Sequence, residues 1–322
     1  MQYRRLGKTG LEVSEIGFGA WGIGKFMWRG GSDQESMQAL HKAVDLGINL
    51  IDTALVYGNG HSEKLVGQLL RERSEQLVVA TKIPPKNLKW PARGTLDEVF
   101  PSSYMVSCVE KSLSNLGVDQ IDLLQLHVWN PEWLHQDEWR ETVSDLQQRG
   151  KVRFFGVSVN DHDPESAVAL VRSGKVDTVQ VIFNIFDQSP EDRLFPACLE
   201  MDVGVLARVP FDEGSLTGGV TPETTFPQKD WRNLYFTGDR KQQVFERVSR
   251  LTDLLGKEAQ KLPELALKYC LHTPAVSTVI PGMRSTNHVI ENTSTSDGRQ
   301  LSSEMLDRLR EHRWVRNFYP EA

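Results

Sequence analysis

Short apolar runs alternate with segments of helical period along most of this chain. The runs Ile16–Gly19, Leu50–Asp52, Val78–Thr81, Asp122–Leu126, Phe154–Val157, Thr178–Ile182, Gly204–Ala207 and Ser277–Ile280 are short and largely apolar at successive positions. Parallel strands covered by helices on both faces carry that pattern. Between them lie helical patterns at Asp33–Leu46, Glu63–Leu70, Ser103–Leu116, Glu138–Arg149, Pro164–Arg172, Pro190–Met201, Pro263–Leu271 and Thr286–Asn292. Ser32 or Asp33 supplies the first N-cap, and Gly47 and Gly150 close two of the helices. Eight strand–helix units in a row predict one closed parallel barrel, an (α/β)8 TIM barrel spanning residues 1–322 as a single domain. An open doubly wound sheet is the alternative. Met1–Ser14, with its turn Gly7-Lys8-Thr9-Gly10, reads as an N-terminal hairpin that caps one end. Residues 212–239, rich in Gly, Thr and Pro, read as a long loop after the seventh strand, and such loops are commonly functional. Gln242–Leu255 and Ser302–Arg313 are two further amphipathic helices, the second within a C-terminal extension over residues 293–322.

Composition narrows the function. Apolar residues are 39% and charged residues 25% of the 322, enough for a core that needs neither disulfides nor a structural metal. The 43 acidic and 37 basic side chains leave a net charge of −6. With no cluster of Lys and Arg to neutralise phosphates, nucleic acid is not an expected partner. No apolar run approaches the roughly 20 residues of a membrane span, and no apolar stretch of a secretory leader follows the charged start. Cys108, Cys198 and Cys270 lie far apart without a CxxC spacing. They are expected to be buried thiols in a reducing compartment, so a cytoplasmic protein is expected. The oligomeric state is not legible from the chain.

In parallel barrels the chemistry sits at the C-terminal ends of the strands. Asp52 ends the second strand, with Tyr57 in the loop beyond. Lys82 follows the third strand, His127 the fourth, Ser158 the fifth and Arg208 the seventh. Gln180 lies in the sixth, and Pro281, Gly282 and Arg284 follow the eighth. An acid, a phenol, a lysine and an imidazole from three consecutive strand ends suit proton delivery to a carbonyl oxygen. A cation near the phenol lowers its high pKa. Lys82 is the candidate cation, Asp52 its counter-ion, and His127 either hydrogen-bonds the substrate oxygen or relays the proton. A hydride donor is then required, which implies a nicotinamide. Two nucleotide motifs are decoys. Gly17-Phe18-Gly19-Ala20-Trp21-Gly22 fits GxGxxG but runs into a loop rather than a helix, and Phe26 stands where a P-loop needs Ser or Thr. Metal spacing is absent, so no metal is expected, and no GxSxG elbow supports a serine hydrolase.

The stretch Gly47-Ile48-Asn49-Leu50-Ile51-Asp52-Thr53-Ala54-Leu55-Val56-Tyr57-Gly58, continued by Ser62-Glu63 and Gly67, resembles the first motif of the aldo-keto reductase superfamily. Val79-Ala80-Thr81-Lys82 resembles its lysine motif, and Asp119 to His127 its histidine motif. Gly150-Lys151-Val152-Arg153 with Gly156-Val157-Ser158 resembles its fifth-strand motif. The resemblance, to a bacterial-type aldo/keto reductase, runs from Leu6 to about Asn292. It implies an (α/β)8 barrel that binds NAD(P)H across the strand ends, with Tyr57 as general acid and Asp52, Lys82 and His127 as its partners. It also implies cofactor contacts from Gly19, Ala20 and Trp21 at the first strand end, from Asp52, and from Ser158 and Gln180 to the carboxamide. Arg208 stands where many members stack an aromatic ring, and a guanidinium stacks similarly. Pro210, Phe211, Gly214, Ser215 and Leu216 match the pyrophosphate loop. Ile280-Pro281-Gly282-Met283-Arg284-Ser285 matches the adenosine-phosphate motif, and Glu291 and Asn292 match adenine contacts.

Departures from the family pattern bear on the cofactor. Val159 stands where many members have Asn, so one carboxamide contact falls to Asn160 or is lost. Val209 replaces a frequent serine. Gly282 and His288 stand where well-studied branches carry Lys and Arg, which leaves Arg284 as the main cation for a 2′-phosphate. NADP(H) is therefore the expected cofactor, with NAD(H) possible. The expected activity is reduction of an aldehyde or ketone, including aldoses. Two other readings compete: a cofactor-sensing subunit like those of potassium channels, and a Schiff-base aldolase using Lys82. Trp21, Trp90 and Trp129 lie near strand ends and are candidates to line the substrate pocket, with Trp28 and Trp133 in adjacent loops. The tail Trp314–Tyr319 is a candidate cover for the mouth.

Overall fold

The computed structural model describes residues 1–25 and 31–314; Trp28, Phe318 and Tyr319 lie outside the described residues. Strands β1 (Tyr3–Arg5) and β2 (Glu12–Ser14) pair antiparallel, Tyr3 opposite Ser14, as the expected hairpin. Eight parallel strands follow: β3 (Phe18–Gly19), β4 (Leu50–Asp52), β5 (Val78–Ile83), β6 (Ile121–Leu126), β7 (Val152–Ser158), β8 (Thr178–Ile182), β9 (Gly204–Arg208) and β10 (Val276–Val279). Each pairs with the next in chain order. The ring closes through parallel bridges between Ile16 and Val279 and between Gly19 and Gly282. The closed barrel is the predicted fold, and the open sheet is excluded.

Helices wrap this ring. They are α1 (Asp33–Asp45), α2 (His61–Glu72), α3 (Leu96–Val99), α4 (Ser102–Leu116), α5 (Glu138–Gln148), α6 (Val168–Arg172) and α7 (Leu194–Glu200). Then come α8 (Arg232–Tyr235), α9 (Arg240–Thr252), α10 (Leu262–Leu271), α11 (Thr286–Ser294) and α12 (Ser303–Arg310). The first helix starts where its cap chemistry says it should. Glu35 N–H donates to Ser32 Oγ at 3.1 Å while Ser32 N–H donates to Glu35 Oε2 at 2.7 Å, a reciprocal capping box. Two expected helices come out shorter. Pro164–Ala167 and Ser189–Glu191 are 3-10 turns, and Arg193 at φ −142° interrupts the path into α7. Residues 212–239 are also more ordered than a loop, holding a 3-10 turn at Asp212–Thr217 and the short α8.

Two apolar layers result. The larger lies between strands and helices and includes all three cysteines, which are buried thiols. The smaller fills the barrel: Leu50, Val78, Ala80, Leu123, Leu206 and Ile280 pack with Leu6 and Val13 of the hairpin. The hairpin thus plugs the N-terminal end and leaves the C-terminal end for polar chemistry. Its seat is tight, since a Cβ on Gly7 would lie 2.2 Å from Gly204 N.

Closure of the ring also demands a glycine. Gly19 N–H donates to Pro281 O at 3.0 Å, and a Cβ on Gly19 would lie 2.8 Å from both Ile280 O and Pro281 O. Both opposing atoms are backbone and have little freedom to retreat. Gly19→Ala should destabilise the protein by about 1–3 kcal/mol, the usual cost of overpacking. Urea unfolding measures this, and an unchanged midpoint would refute the steric account of the seam.

Candidate active site

Strand register brings the first pair of functional side chains together. Asp52 of β4 lies opposite Ala80 of β5. Lys82, two residues on, therefore projects from the same face of the sheet. Lys82 Nζ donates to Asp52 Oδ1 at 2.8 Å, to Asp52 Oδ2 at 2.7 Å and to Thr53 O at 2.8 Å. Both side chains are almost wholly buried. Tyr57, in the loop after β4, sets its hydroxyl 3.5 Å from Lys82 Nζ. His127, just past β6, meets the Tyr57 ring edge-on with centroids 5.7 Å apart. Gln180 of β8 donates from Nε2 to Asp52 Oδ1 at 2.7 Å. Asp52, Tyr57, Lys82, His127 and Gln180 thus form one cluster at the C-terminal mouth.

Burial dominates the proton chemistry. It pushes the Tyr57 phenol well above the ordinary tyrosine range, helped by the Asp52 charge and only partly opposed by Arg208. Sequence reasoning expected Lys82 to pull the phenol down. The structure shows what outweighs that pull: burial and the Asp52 charge raise the phenol, and Lys82 Nζ lies closer to Asp52 and Thr53 O than to the Tyr57 hydroxyl. Burial also holds the Lys82 ammonium below the usual lysine range, against the opposing pull of Asp52. It drives His127 well below the usual histidine range, with Lys82 and Arg208 adding to the effect. The imidazole is therefore neutral, and its Nδ1 is buried with no hydrogen-bond partner among the described residues. Glu213, absent from the sequence expectations, is pushed up to about 8 by burial and by Asp212 and Asp161.

The expected cofactor residues divide into two groups. Ser158 is buried at the end of β7 and Arg208 ends β9. Arg208 Nη2 donates to Val159 O at 2.9 Å and to the Asp161 carboxylate. After it the backbone turns through unusual conformations, with φ positive at Val209, Asp212, Glu213 and Gly214. In this turn Phe211 is half-buried, Pro210 is buried, and Ser215 is fully buried with its Oγ lacking a partner among the described residues. A lone buried hydroxyl of this kind fits a site for a hydrogen-bonding ligand. A Cβ on Gly282 would meet nothing within 4 Å, so space is open there, whereas the stem of Arg284 lies across Gly22. Burial and Arg284 hold His288 below the usual histidine range. Glu291 is exposed and accepts from Lys261 Nζ at 2.9 Å, and Asn292 is buried.

Other expected residues carry bonds or packing elsewhere in the fold. Gly19 and Ala20 also serve the frame: Gly19 N–H donates to Pro281 O across the seam, Ala20 N–H donates to Asp52 O at 2.9 Å, and Ala20 O accepts from Ser62 Oγ at 3.0 Å. The side chain of Leu216 is core. Asn160 does not replace the missing asparagine, because its Nδ2 donates to Trp129 O at 2.7 Å and its Oδ1 accepts from Ala92 N. Trp129 does not line the mouth; it is 0% exposed and packs edge-on against Trp133 and Trp139. Trp21 and Trp90 do face the cluster, at 6.3 Å from the Tyr57 ring and 5.8 Å from the His127 ring. Trp231 joins them, 6.2 Å from Trp21. Asp161, Glu213 and Trp231 escaped sequence reasoning. Asp161 reads locally as a polar turn leading to Pro164, and its pairing with Arg208 bridges two strand ends.

Comparison with known proteins gives this geometry a family. Residues 15–313 match the model of the aldo/keto reductase family. Aldo-keto reductase YhdN of Bacillus subtilis is 33% identical over 313 residues, covering 94% of this chain and 91% of that protein. An NADH-specific methylglyoxal reductase of Escherichia coli is 28% identical over 303 residues, covering 89% and 91% of the two chains. The solved glycerol dehydrogenase AKR11B4 of Gluconobacter oxydans superposes with a TM-score of 0.79 at 29% identity, covering 99% of this chain and 98% of that one. The match spans the seam, the Asp52–Lys82 pair and the turn after β9 alike, and the chain belongs to the aldo/keto reductase family.

Proposed function

We propose that this chain is an NAD(P)H-dependent reductase of a small aldehyde or ketone, and that Tyr57 delivers the proton. The observation that carries this reading is the Tyr57 hydroxyl 3.5 Å from a buried ammonium, with the Tyr57 ring against a neutral imidazole. When bound, the nicotinamide supplies the hydride to the carbonyl carbon. Burial keeps Tyr57 protonated at any physiological pH, so the donor is always loaded. As the proton leaves for the carbonyl oxygen, negative charge builds on Tyr57 Oη beside Lys82 Nζ. That interaction strengthens in the transition state, which is the condition for catalysis. Asp52 holds Lys82 charged and in place, and neutral His127 offers an N–H to the same substrate oxygen. Solvent returns the proton to Tyr57 after the alcohol leaves.

The Schiff-base aldolase reading finds no support in this arrangement. A nucleophilic lysine must present an unprotonated amine, whereas Lys82 is a fully engaged ammonium. The carbonyl compound would sit against Trp21, Trp90 and Trp231, whose rings gather beside the cluster.

The cofactor's adenosine end falls to Arg284, the obligate cation of its loop, with Gly282 adding none. His288 lies below its ordinary range and is neutral at pH 7. One arginine contributes about 1.5–3 kcal/mol to a phosphate, roughly ten- to two-hundredfold in affinity. A preference for NADPH over NADH of that size or less is the reading these residues support.

Three measurements test the proposal. Tyr57→Phe should lower kcat by about 10²–10⁴, the range for losing a general acid, while cofactor affinity changes little; wild-type turnover under chemistry-limited conditions would refute the assignment. Arg284→Ala should remove most of the NADPH preference and leave NADH turnover nearly unchanged, whereas equal losses with both cofactors would make the arginine structural. The third concerns Glu213, in the same turn as Ser215. Neutral below about 8, it does not repel a pyrophosphate; ionised above that, it does. Cofactor affinity should therefore fall as pH rises through about 8, and Glu213→Gln should flatten that limb. A variant with the wild-type pH profile would show that the carboxyl does not face the phosphates.

A further inference from the structure

The turn after β9 is anchored by a buried charge cluster that proton delivery does not use. Asp212, Tyr235 and Arg240 are 3%, 8% and 1% exposed. Arg240 Nη2 donates to Asp212 Oδ2 at 3.0 Å and to Tyr235 Oη at 2.6 Å, and Tyr235 Oη donates to Asp212 Oδ1 at 2.5 Å. The guanidinium lies over the Tyr235 ring at 4.2 Å and the Trp314 ring at 5.0 Å. Tyr235 and Arg240, from one stretch distant from the turn, therefore converge on one carboxylate, and Trp314 from a third stretch covers the guanidinium. That carboxylate belongs to a residue with φ +46°, followed by Glu213 at φ +55° and Gly214 at φ +104°. Left-handed backbone at two successive non-glycine residues persists only where surrounding contacts over-determine it. Three residues beyond Asp212 stands Ser215, its buried Oγ without a partner among the described residues.

We propose that Asp212, Tyr235 and Arg240 form a clamp that presets the Phe211–Leu216 turn to receive the cofactor's pyrophosphate on Ser215. This rests on the nicotinamide-dependent reading above and adds positioning residues to it. Asp212 balances the charge of Arg240, so the clamp acts through geometry rather than through a field at the phosphates. Without it the strained turn relaxes, and binding must then restore the turn's shape. Affinity for the cofactor falls accordingly, while the chemistry at Tyr57 is untouched once the site is filled.

Tyr235→Phe is the mildest probe, since the ring remains over Arg240 and only the bridging hydroxyl is lost. Two readouts are independent of turnover. In the cofactor-free protein, amide hydrogen exchange over residues 212–217 should accelerate, by about tenfold. The dissociation constant for NADPH, read by quenching of tryptophan emission, should rise by about tenfold. The melting temperature should stay within a few degrees, kcat at saturating cofactor within about threefold, and the carbonyl KM unchanged. Asp212→Asn should move exchange and affinity further in the same directions. Unchanged exchange and affinity in Tyr235→Phe, with wild-type protein that binds NADPH, would overturn the clamp alone. So would a loss of affinity matched by a fall in kcat and a lower melting temperature, which marks a general structural role. Wild-type protein that binds neither NADPH nor NADH would overturn the clamp together with the reading beneath it.

Discussion

The ion pair between Lys82 and Asp52 governs this molecule. Taking an ammonium and a carboxylate out of water costs several kcal/mol each, and the attraction between them offsets this only if every donor and lone pair is placed well. Here two carboxylate oxygens and the Thr53 carbonyl meet the three N–H groups of Lys82, and Gln180 takes up a further lone pair of Asp52. Such an arrangement needs strands from both sides of the barrel mouth at fixed register. The parallel ring and its plugged lower end supply that rigidity, and the glycine seam draws the ring shut. In return, the pair places a positive charge 3.5 Å from the Tyr57 hydroxyl.

The surrounding charges are graded by what neutralises them. Arg208 is tied to Asp161 and to a backbone carbonyl, Arg240 to Asp212, and Arg232 to Asp230. The mouth is therefore rich in ionisable groups but poor in uncompensated charge. A neutral imidazole and a protonated phenol are the natural proton states in such surroundings, because desolvation favours the uncharged form of each. Burial applied evenly sets the proton states of the cluster, with the Lys82 ammonium 3.5 Å from the Tyr57 hydroxyl.

Much of this was legible in the chain. The bounds Leu50–Asp52 and Thr178–Ile182 were read to the residue, because apolar runs flanked by polar turns leave little choice of register. Asp52, Lys82 and His127 stood out because a parallel barrel puts its chemistry at strand ends, a rule of topology rather than of local propensity. The failures share a cause. Trp129 looked like a pocket wall because it follows a strand end, but its plane is set by Trp133 and Trp139 from the next turn and helix. Gly19 and Ala20 carry a role in the frame that local sequence does not show: Gly19 N–H bonds Pro281 O across the seam, and Ala20 bonds Asp52 O and Ser62 Oγ. Glu213, Trp231 and the Asp212–Tyr235–Arg240 cluster lie in a stretch without periodicity. Its shape comes from contacts across the fold and leaves no imprint on neighbouring positions.

The seam between Gly19 and Gly282 also bears on how the protein is made. A ring of eight strands paired in chain order can grow from one end, each new strand docking on the last, yet it has two raw edges until the final strand meets the first. No nascent chain that stops short of Val279 can bury them. Trp21 and Arg284 flank that seam, with the stem of Arg284 lying over Gly22, so the surface between them comes into being only when the barrel shuts. A ligand held there binds the closed ring and not its open precursor, and by mass action it draws late intermediates toward the finished fold. Any compound that binds across the seam would in this way act on the yield of folded protein as well as on its finished form.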